Sequence, residues 1–169
     1  GVTVVAKSYN NNVDYTGYQT VNFFNSYLSK KALDIFKVDD SGEPVPGVTF
    51  KLMLEGQTLP LWKHKETGVY YITDPQDTVN YESVENGLIT VNDSGHAAVA
   101  GMHDGSVKNF TLVEQSAPEG YIKSGDISFR LTANGTMELV GTYDNVTLTD
   151  GTMHVVNNSA RIKIKVTKN

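Results

Sequence analysis

The sequence predicts an all-β protein built as a sandwich or a barrel. Short stretches rich in Val, Thr and Tyr alternate apolar with polar residues, as strands with one buried face do. Glycine-containing turn pairs stand between these stretches, and 169 residues are enough for one domain with a real core. The turn pairs are Asn86-Gly87, Asp104-Gly105, Asn134-Gly135 and Asp150-Gly151.

The strands follow one another at the spacing expected of a sandwich, with about seven in the core and extra strands at the termini. Turn residues at 39–47 join two early strands, which we expect to form a hairpin. The predicted strands cover 2–6, 18–27, 32–38, 48–54, 59–63, 69–73, 88–91, 96–100, 109–114, 127–132, 137–140, 153–157 and 162–166.

Three segments are expected along the chain. Residues 1–29 form terminal strands that could close a preceding module, 30–159 form the central β-sandwich, and 160–169 form a final strand or the start of a following module. The longer protein would then be a string of similar modules.

Composition argues against several function classes. The net charge is −5 and no basic stripe is present, which disfavours nucleic acid as a partner. The chain has no cysteine, and no apolar stretch approaches the roughly 20 residues that would insert into a membrane. Scattered histidines and the absence of a Gly-x-Ser-x-Gly elbow predict no metal, no cofactor and no enzymatic turnover.

Three predicted strands place a polar residue on an otherwise apolar face: Lys37, Glu114 and Asn157. If these faces point inward, all three polar groups are buried. A lone buried charge costs several kcal/mol, so such groups tend to become neutral. The apolar residues that share these faces are Leu33 and Ile35, Phe110 and Leu112, and Met153 and Val155.

Buried together, the three groups could react with one another. A neutral Lys37 amine is a nucleophile, and Glu114 carrying a proton could polarise the Asn157 carbonyl and shuttle protons. Loss of ammonia would leave an uncharged Lys–Asn cross-link. Taken singly, a snorkelling lysine, an exposed strand carboxylate and a turn asparagine are the ordinary interpretations.

Three motifs carry a resemblance to a known family. They are Glu-Gln-Ser-Ala-Pro-Glu-Gly-Tyr at 114–121, Leu-Asp-Ile-Phe-Lys-Val-Asp at 33–39, and Val-Val-Asn at 155–157. The chain resembles the Cna B-type domain, also called SpaA-like or prealbumin-like, of Gram-positive pilins and surface adhesins. The resemblance covers most of the chain.

That resemblance implies an Ig-like, prealbumin-like β-sandwich that stabilises itself with an autocatalytic isopeptide bond. It implies Lys37 as amine donor, Glu114 as catalytic carboxylate and Asn157 as acceptor. Asn158 stays open as the alternative acceptor, because a slip of one residue exchanges the two faces. Asn25 resembles the reactive asparagine of a preceding module and could accept a second cross-link.

The function implied is structural: a module of a pilus or cell-surface adhesin, extracellular and anchored to the cell wall, whose partners are other modules of the same protein or fibre. The alternative is an adhesin domain that binds a host glycan or matrix protein through the insertion at 55–87. Trp62, Tyr70 and Tyr71 would then contact the ligand. Core packing is the other interpretation of these aromatic residues.

Overall fold

The computed structural model describes residues 33–160, which form two β-sheets packed face to face. A short 3-10 turn at Glu85–Gly87 precedes the seventh strand. The strands are β1 Leu33–Asp39, β2 Thr49–Leu54, β3 Gln57–Thr58, β4 Trp62–His64, β5 Tyr70–Tyr71, β6 Tyr81–Ser83, β7 Leu88–Thr90, β8 His96–Ala100, β9 Lys108–Ser116, β10 Ile127–Leu131, β11 Met137–Leu139, β12 Val146–Thr149 and β13 Thr152–Asn157.

The two sheets differ in the number and order of their strands. Within residues 33–160, one sheet has seven strands in the order β12-β13-β1-β8-β5-β4-β6. The other has six, in the order β11-β10-β9-β2-β3, with β7 also paired to β2. The predicted all-β sandwich is confirmed.

The core lies between the sheets and is built by strand alternation. In β1 every second residue is buried, and Leu33 and Ile35 are fully shielded from solvent. From the opposite sheet Phe110 and Phe129 face the same core, with stacked rings whose centroids lie 5.3 Å apart. Burying each such apolar side chain stabilises the fold by about 1.5–3 kcal/mol.

The predicted hairpin between β1 and β2 is wrong. β1 pairs in parallel with β13 and antiparallel with β8, whereas β2 pairs with β9 in the other sheet. Each of the two strands has one apolar face, and these faces meet across the core instead of lying side by side. The turn-rich link is long enough to span the roughly 10 Å between packed sheets.

The region between β2 and β7 contributes strands to both sheets. β3 extends the six-stranded sheet, while β4, β5 and β6 extend the seven-stranded sheet beyond β8. The predicted strand at 59–63 overlaps only β4, which begins at Trp62, and β3 ends just before it, at Thr58. Tyr70 is part of the core, 3% exposed, and its hydroxyl accepts a hydrogen bond from the Thr90 N–H at 2.9 Å.

Neither a membrane helix nor a metal cluster occurs between residues 33 and 160. No helix there is long and apolar enough to cross a bilayer. No group of three or more His, Cys, Asp or Glu side chains in that range is arranged to hold a metal ion.

Gly95, in the turn between β7 and β8, makes a close backbone contact that yields a prediction. Its φ is +71°, and a Cβ there would lie 2.6 Å from the Lys37 carbonyl oxygen. Gly105 also has a positive φ, +91°, but has open space around it. We expect Gly105→Ala to destabilise the fold by about 1–2 kcal/mol. Gly95→Ala should lower the free energy of unfolding by about a further 1–3 kcal/mol, because the added Cβ would also meet the Lys37 carbonyl oxygen.

Urea denaturation followed by the fluorescence of Trp62, the single tryptophan, measures both variants. Equal losses of stability would mean that the contact between Gly95 and β1 does not constrain the fold.

Candidate functional site: a buried lysine, glutamate and asparagine

Three polar side chains are buried in the core. Among residues 33–160 the buried polar or charged residues are Lys37, Glu114 and Asn157, which are 0%, 2% and 1% exposed. Lysine and glutamate are almost never fully buried unless they are paired. Their burial therefore calls for a local explanation.

Parallel pairing of β1 with β13 brings Lys37 and Asn157 onto one face. Lys37 lies opposite Val155, and Asp39 lies opposite Asn157. Lys37 and Asn157 are thus offset by two residues, or roughly 7 Å along the strands. A lysine side chain is long enough to cover that offset, so its amine reaches the asparagine side chain.

The backbone of Lys37 is held on the opposite edge of β1. Its N–H donates to the Gly95 carbonyl at 2.7 Å, and its carbonyl accepts from the Val45 N–H at 3.0 Å. Both backbone groups are therefore satisfied inside the protein, and the side chain is directed into the core.

Glu114 reaches the same point from the facing sheet. It lies on β9 on the face that buries Phe110 and Leu112, opposite Phe50 of β2. A register shift in this pairing lies next to the site, between Thr49 and Phe50. The carboxylate thus crosses the core to the side chains carried by β1 and β13.

One carboxylate contacts both other groups. Lys37 Nζ lies 3.3 Å from Glu114 Oε1, and Asn157 Nδ2 donates to Glu114 Oε2 at 2.7 Å. Lys37 Nζ also donates to Asn157 Oδ1. The sequence-based hypothesis had the glutamate next to the asparagine carbonyl. In the structure the glutamate contacts the amide nitrogen, and the lysine contacts the carbonyl oxygen.

The environment makes the lysine amine easier to deprotonate. Burial lowers the pKa of Lys37 from 10.5 to about 8, although the charge and hydrogen bond of Glu114 act in the opposite direction. Removing the ammonium from water destabilises its charged form more than its carboxylate partner stabilises it. A neutral, nucleophilic amine is therefore much more accessible here than on the protein surface.

Other predicted site residues lie elsewhere. Asn158 is exposed, and Asn25 lies outside the described residues. Trp62 and Tyr71 are half-buried, on β4 and β5. Tyr70 is in the core and 3% exposed, and ligand contact by these three aromatic residues stays a prediction.

Sequence reasoning missed Asn145. Its side-chain amide donates to the Val156 carbonyl at 3.1 Å and to Ser124 Oγ at 2.9 Å, next to the acceptor candidate. The available signal was the alternating stretch that follows it, β12, which we had not predicted as a strand.

Comparison with known proteins identifies the family. Residues 31–145 match the family described as SpaA, prealbumin-like fold domain, and the chain belongs to that family. The predicted SpaA-like, prealbumin-like domain is confirmed. No curated protein sequence matches the chain.

Solved structures with a similar fold come from pili. The shaft pilin SpaA of Lactobacillus rhamnosus GG matches at 17% identity and TM-score 0.48, covering 81% of this chain and 48% of the pilin. Its C-terminal domain alone matches at 18% identity and TM-score 0.49, covering 76% of this chain and 97% of that domain. The pilus adhesin RrgA of Streptococcus pneumoniae matches at 17% identity and TM-score 0.43, covering 76% of this chain and 15% of the adhesin. The chain thus spans about half the length of the full shaft pilin.

The lowered pKa of Lys37 predicts how stability depends on pH in a chain that carries Asn157→Ala. Between pH 8 and 10.5 the unfolded chain binds more protons than the folded chain, so stability to unfolding should rise with pH in this window. The total gain should be about 3 kcal/mol, since one pKa unit corresponds to about 1.4 kcal/mol.

Urea titrations at pH 7, 8, 9 and 10 measure this gain. Adding Lys37→Met to the same chain is the control and should remove the rise. A free energy of unfolding that stays flat between pH 8 and 10, or that depends on pH in the same way as in the control, would contradict the assignment of a buried, destabilised ammonium.

Proposed function

We propose that this chain is a structural module of a Gram-positive pilus or cell-surface adhesin, stabilised by an autocatalytic isopeptide bond between Lys37 and Asn157. One observation carries the proposal: Glu114 bridges the buried amine and the buried amide, through a different carboxylate oxygen for each. A fully desolvated Lys–Glu–Asn group with no exposed member has little value as a binding site. It is well suited to a reaction within the fold.

The reaction needs no external reagent. The neutral Lys37 amine attacks Cγ of Asn157, and a bond forms between Nζ and Cγ. Glu114 accepts a proton from Nζ at Oε1 and delivers a proton to Nδ2 from Oε2. The bond between Cγ and Nδ2 breaks, ammonia leaves, and the carboxyl group ends as it began.

The core setting favours this chemistry in two ways. Fixed neighbours replace the bimolecular encounter with an intramolecular one, which is worth about 7–11 kcal/mol in well-oriented systems. The product is a neutral amide, so the free-energy penalty of the buried ammonium is removed once the bond forms. Each chain reacts once, so the protein is not an enzyme that turns over a substrate.

The bond would stabilise the domain against unfolding and against force. It joins residues separated by 120 positions, on the first and last strands of the described part of the chain. Closing a loop of that length in the unfolded state corresponds to about 5 kcal/mol in the chain-entropy treatment of cross-links. Tension applied at the two ends would pass from residue 37 to residue 157 without unravelling the residues between them.

Family membership supports the wider setting. Pilins and pilus adhesins act at the cell surface, so we propose an extracellular location, attachment to the cell wall, and association with other modules of the same protein or fibre. Residues 1–29 and 160–169 are proposed as the junctions with neighbouring modules.

Ligand binding through residues 55–87 has weaker support. The rings of Tyr71 and His64 both pack edge-on against Tyr81, at centroid distances of 5.1 and 4.9 Å. These ring contacts pack β4, β5 and β6 against one another, which leaves the rings of Tyr71 and Tyr81 less available to a ligand.

Intact mass tests the cross-link directly. We expect the mass of the purified chain to be lower than the sequence mass by one ammonia. Glu114→Ala should restore the full mass because the proton carrier is lost, and Lys37→Met should restore it because the nucleophile is lost. Glu82→Ala, on an exposed position of β6, is the matched control and should keep the deficit. A full sequence mass for the unaltered chain would sink the proposal.

Single-molecule pulling tests the mechanical role. Stretched from its ends, the unaltered chain should show no unfolding step that releases residues 38–156. Glu114→Ala should release them as about 400 Å of extended chain, at roughly 3.3–3.6 Å per residue. Release of the same length from the unaltered chain would show that no covalent bond bridges β1 and β13.

A further inference from the structure

Asn157 and Asn158 are chemically identical neighbours, yet only Asn157 faces Lys37. Asn157 is buried at the end of β13, whereas Asn158 is exposed. A slip of one residue would exchange them, because side chains alternate along a strand. Pairing with β1 ends at Asn157, so other contacts must hold the chain in register there.

Asn145 holds the residue immediately before Asn157. Its backbone carbonyl accepts from the Val156 N–H at 2.9 Å, and its side-chain Nδ2 donates to the Val156 carbonyl at 3.1 Å. The same Nδ2 donates to Ser124 Oγ at 2.9 Å. A primary amide carries two N–H groups, so both donations can exist together. Asn145 thus ties β13 to the segment that joins β9 to β10.

That same segment holds the residues immediately after Asn157. The Ile122 N–H donates to the Asn158 carbonyl at 2.9 Å, and the Ala160 N–H donates to the Gly120 carbonyl at 2.8 Å. We call these two bonds the C-terminal ladder. Gly120 has φ +94°, a conformation that favours glycine, and it therefore shapes the turn that presents the ladder.

We propose that Asn145 and the C-terminal ladder select the acceptor: they hold Asn157 against Lys37 and keep Asn158 outside. This inference rests on the proposed cross-link and adds the specificity of its acceptor. Asn145 is a positioning residue that acts through Val156. The connecting segment follows directly on the strand that carries Glu114, so catalyst and acceptor are placed by one continuous stretch of chain.

Selection by position is effective because the reaction is sensitive to small displacements. Lys37 Nζ must reach Cγ of Asn157 while Glu114 keeps its hydrogen bond with the leaving nitrogen, Nδ2 of Asn157. A misplacement of about 1 Å can slow such a reaction on the order of a hundredfold. Hydrogen bonds to the peptide groups on both sides of Asn157 limit its displacement in either direction along the strand.

The first test leaves Asn145 and the C-terminal ladder unchanged. With Asn157→Ala we expect no loss of ammonia, although Asn158 is still present, because the ladder keeps its side chain outside. Asn158→Ala should react like the unaltered chain. Cross-linking through Asn158 in the Asn157→Ala chain would overturn the proposal.

The second test removes hydrogen bonds made by Asn145 and by the C-terminal ladder. Asn145→Asp keeps the shape but cannot donate to Val156, and Ala160→Pro removes the N–H that bonds Gly120. Thr147→Val, on an exposed position of β12, and Ala160→Val, which keeps its N–H, are matched controls. Cell-free synthesis with timed intact-mass measurement gives the rate, and fragmentation of the cross-linked tryptic peptide identifies the acceptor.

We expect the combined Asn145→Asp and Ala160→Pro chain to react on the order of tenfold to a hundredfold more slowly, with part of the product linked through Asn158. Each single variant should show a smaller decrease in rate and a smaller share of product linked through Asn158. The single variants therefore still test the proposal if the combined variant does not fold. A rate like that of the controls, with Asn157 as sole acceptor, would overturn the positioning role. An unaltered chain that loses no ammonia would instead refute the cross-link itself.

Discussion

Burial of the Lys37 ammonium is the constraint on which the rest of this structure depends. A lysine at that position of an all-apolar face would destabilise the domain unless its charge were neutralised or paired. Glu114 and Asn157 converge on it from the facing sheet and from the neighbouring strand. The fold therefore keeps a costly group in its core, and the proposed bond converts that group into a neutral amide.

The topology explains why this cluster is placed between β1 and β13. These two strands are parallel neighbours, although they lie at opposite ends of the described sequence. Parallel pairing of the first and last strands means that opposite pulls on the ends would shear them apart. The proposed covalent bond between the two strands would carry load that the backbone hydrogen bonds between β1 and β13 would otherwise carry alone.

Much of the site was predictable from local patterns. Alternation at 33, 35 and 37 marks Lys37 as inward-facing, and the same argument applies to Glu114 and Asn157. The pairing of β1 with β13 was not predictable in this way, because its partners are far apart in sequence. Local turn residues also predicted a hairpin between β1 and β2, since they indicate a change of direction and not whether the next strand joins the same sheet. The contribution of Asn145 depends on partners at 124 and 156, which only the folded chain brings together.

The most direct measurement of the central claim is a crystal structure at a resolution that separates bonded from non-bonded atoms. The account predicts continuous electron density from Lys37 Nζ to Asn157 Cγ, a planar amide at the junction, and no Nδ2 on Asn157. Glu114 should lie beside that amide. Separate lysine and asparagine side chains, with the primary amide of Asn157 intact, would contradict it.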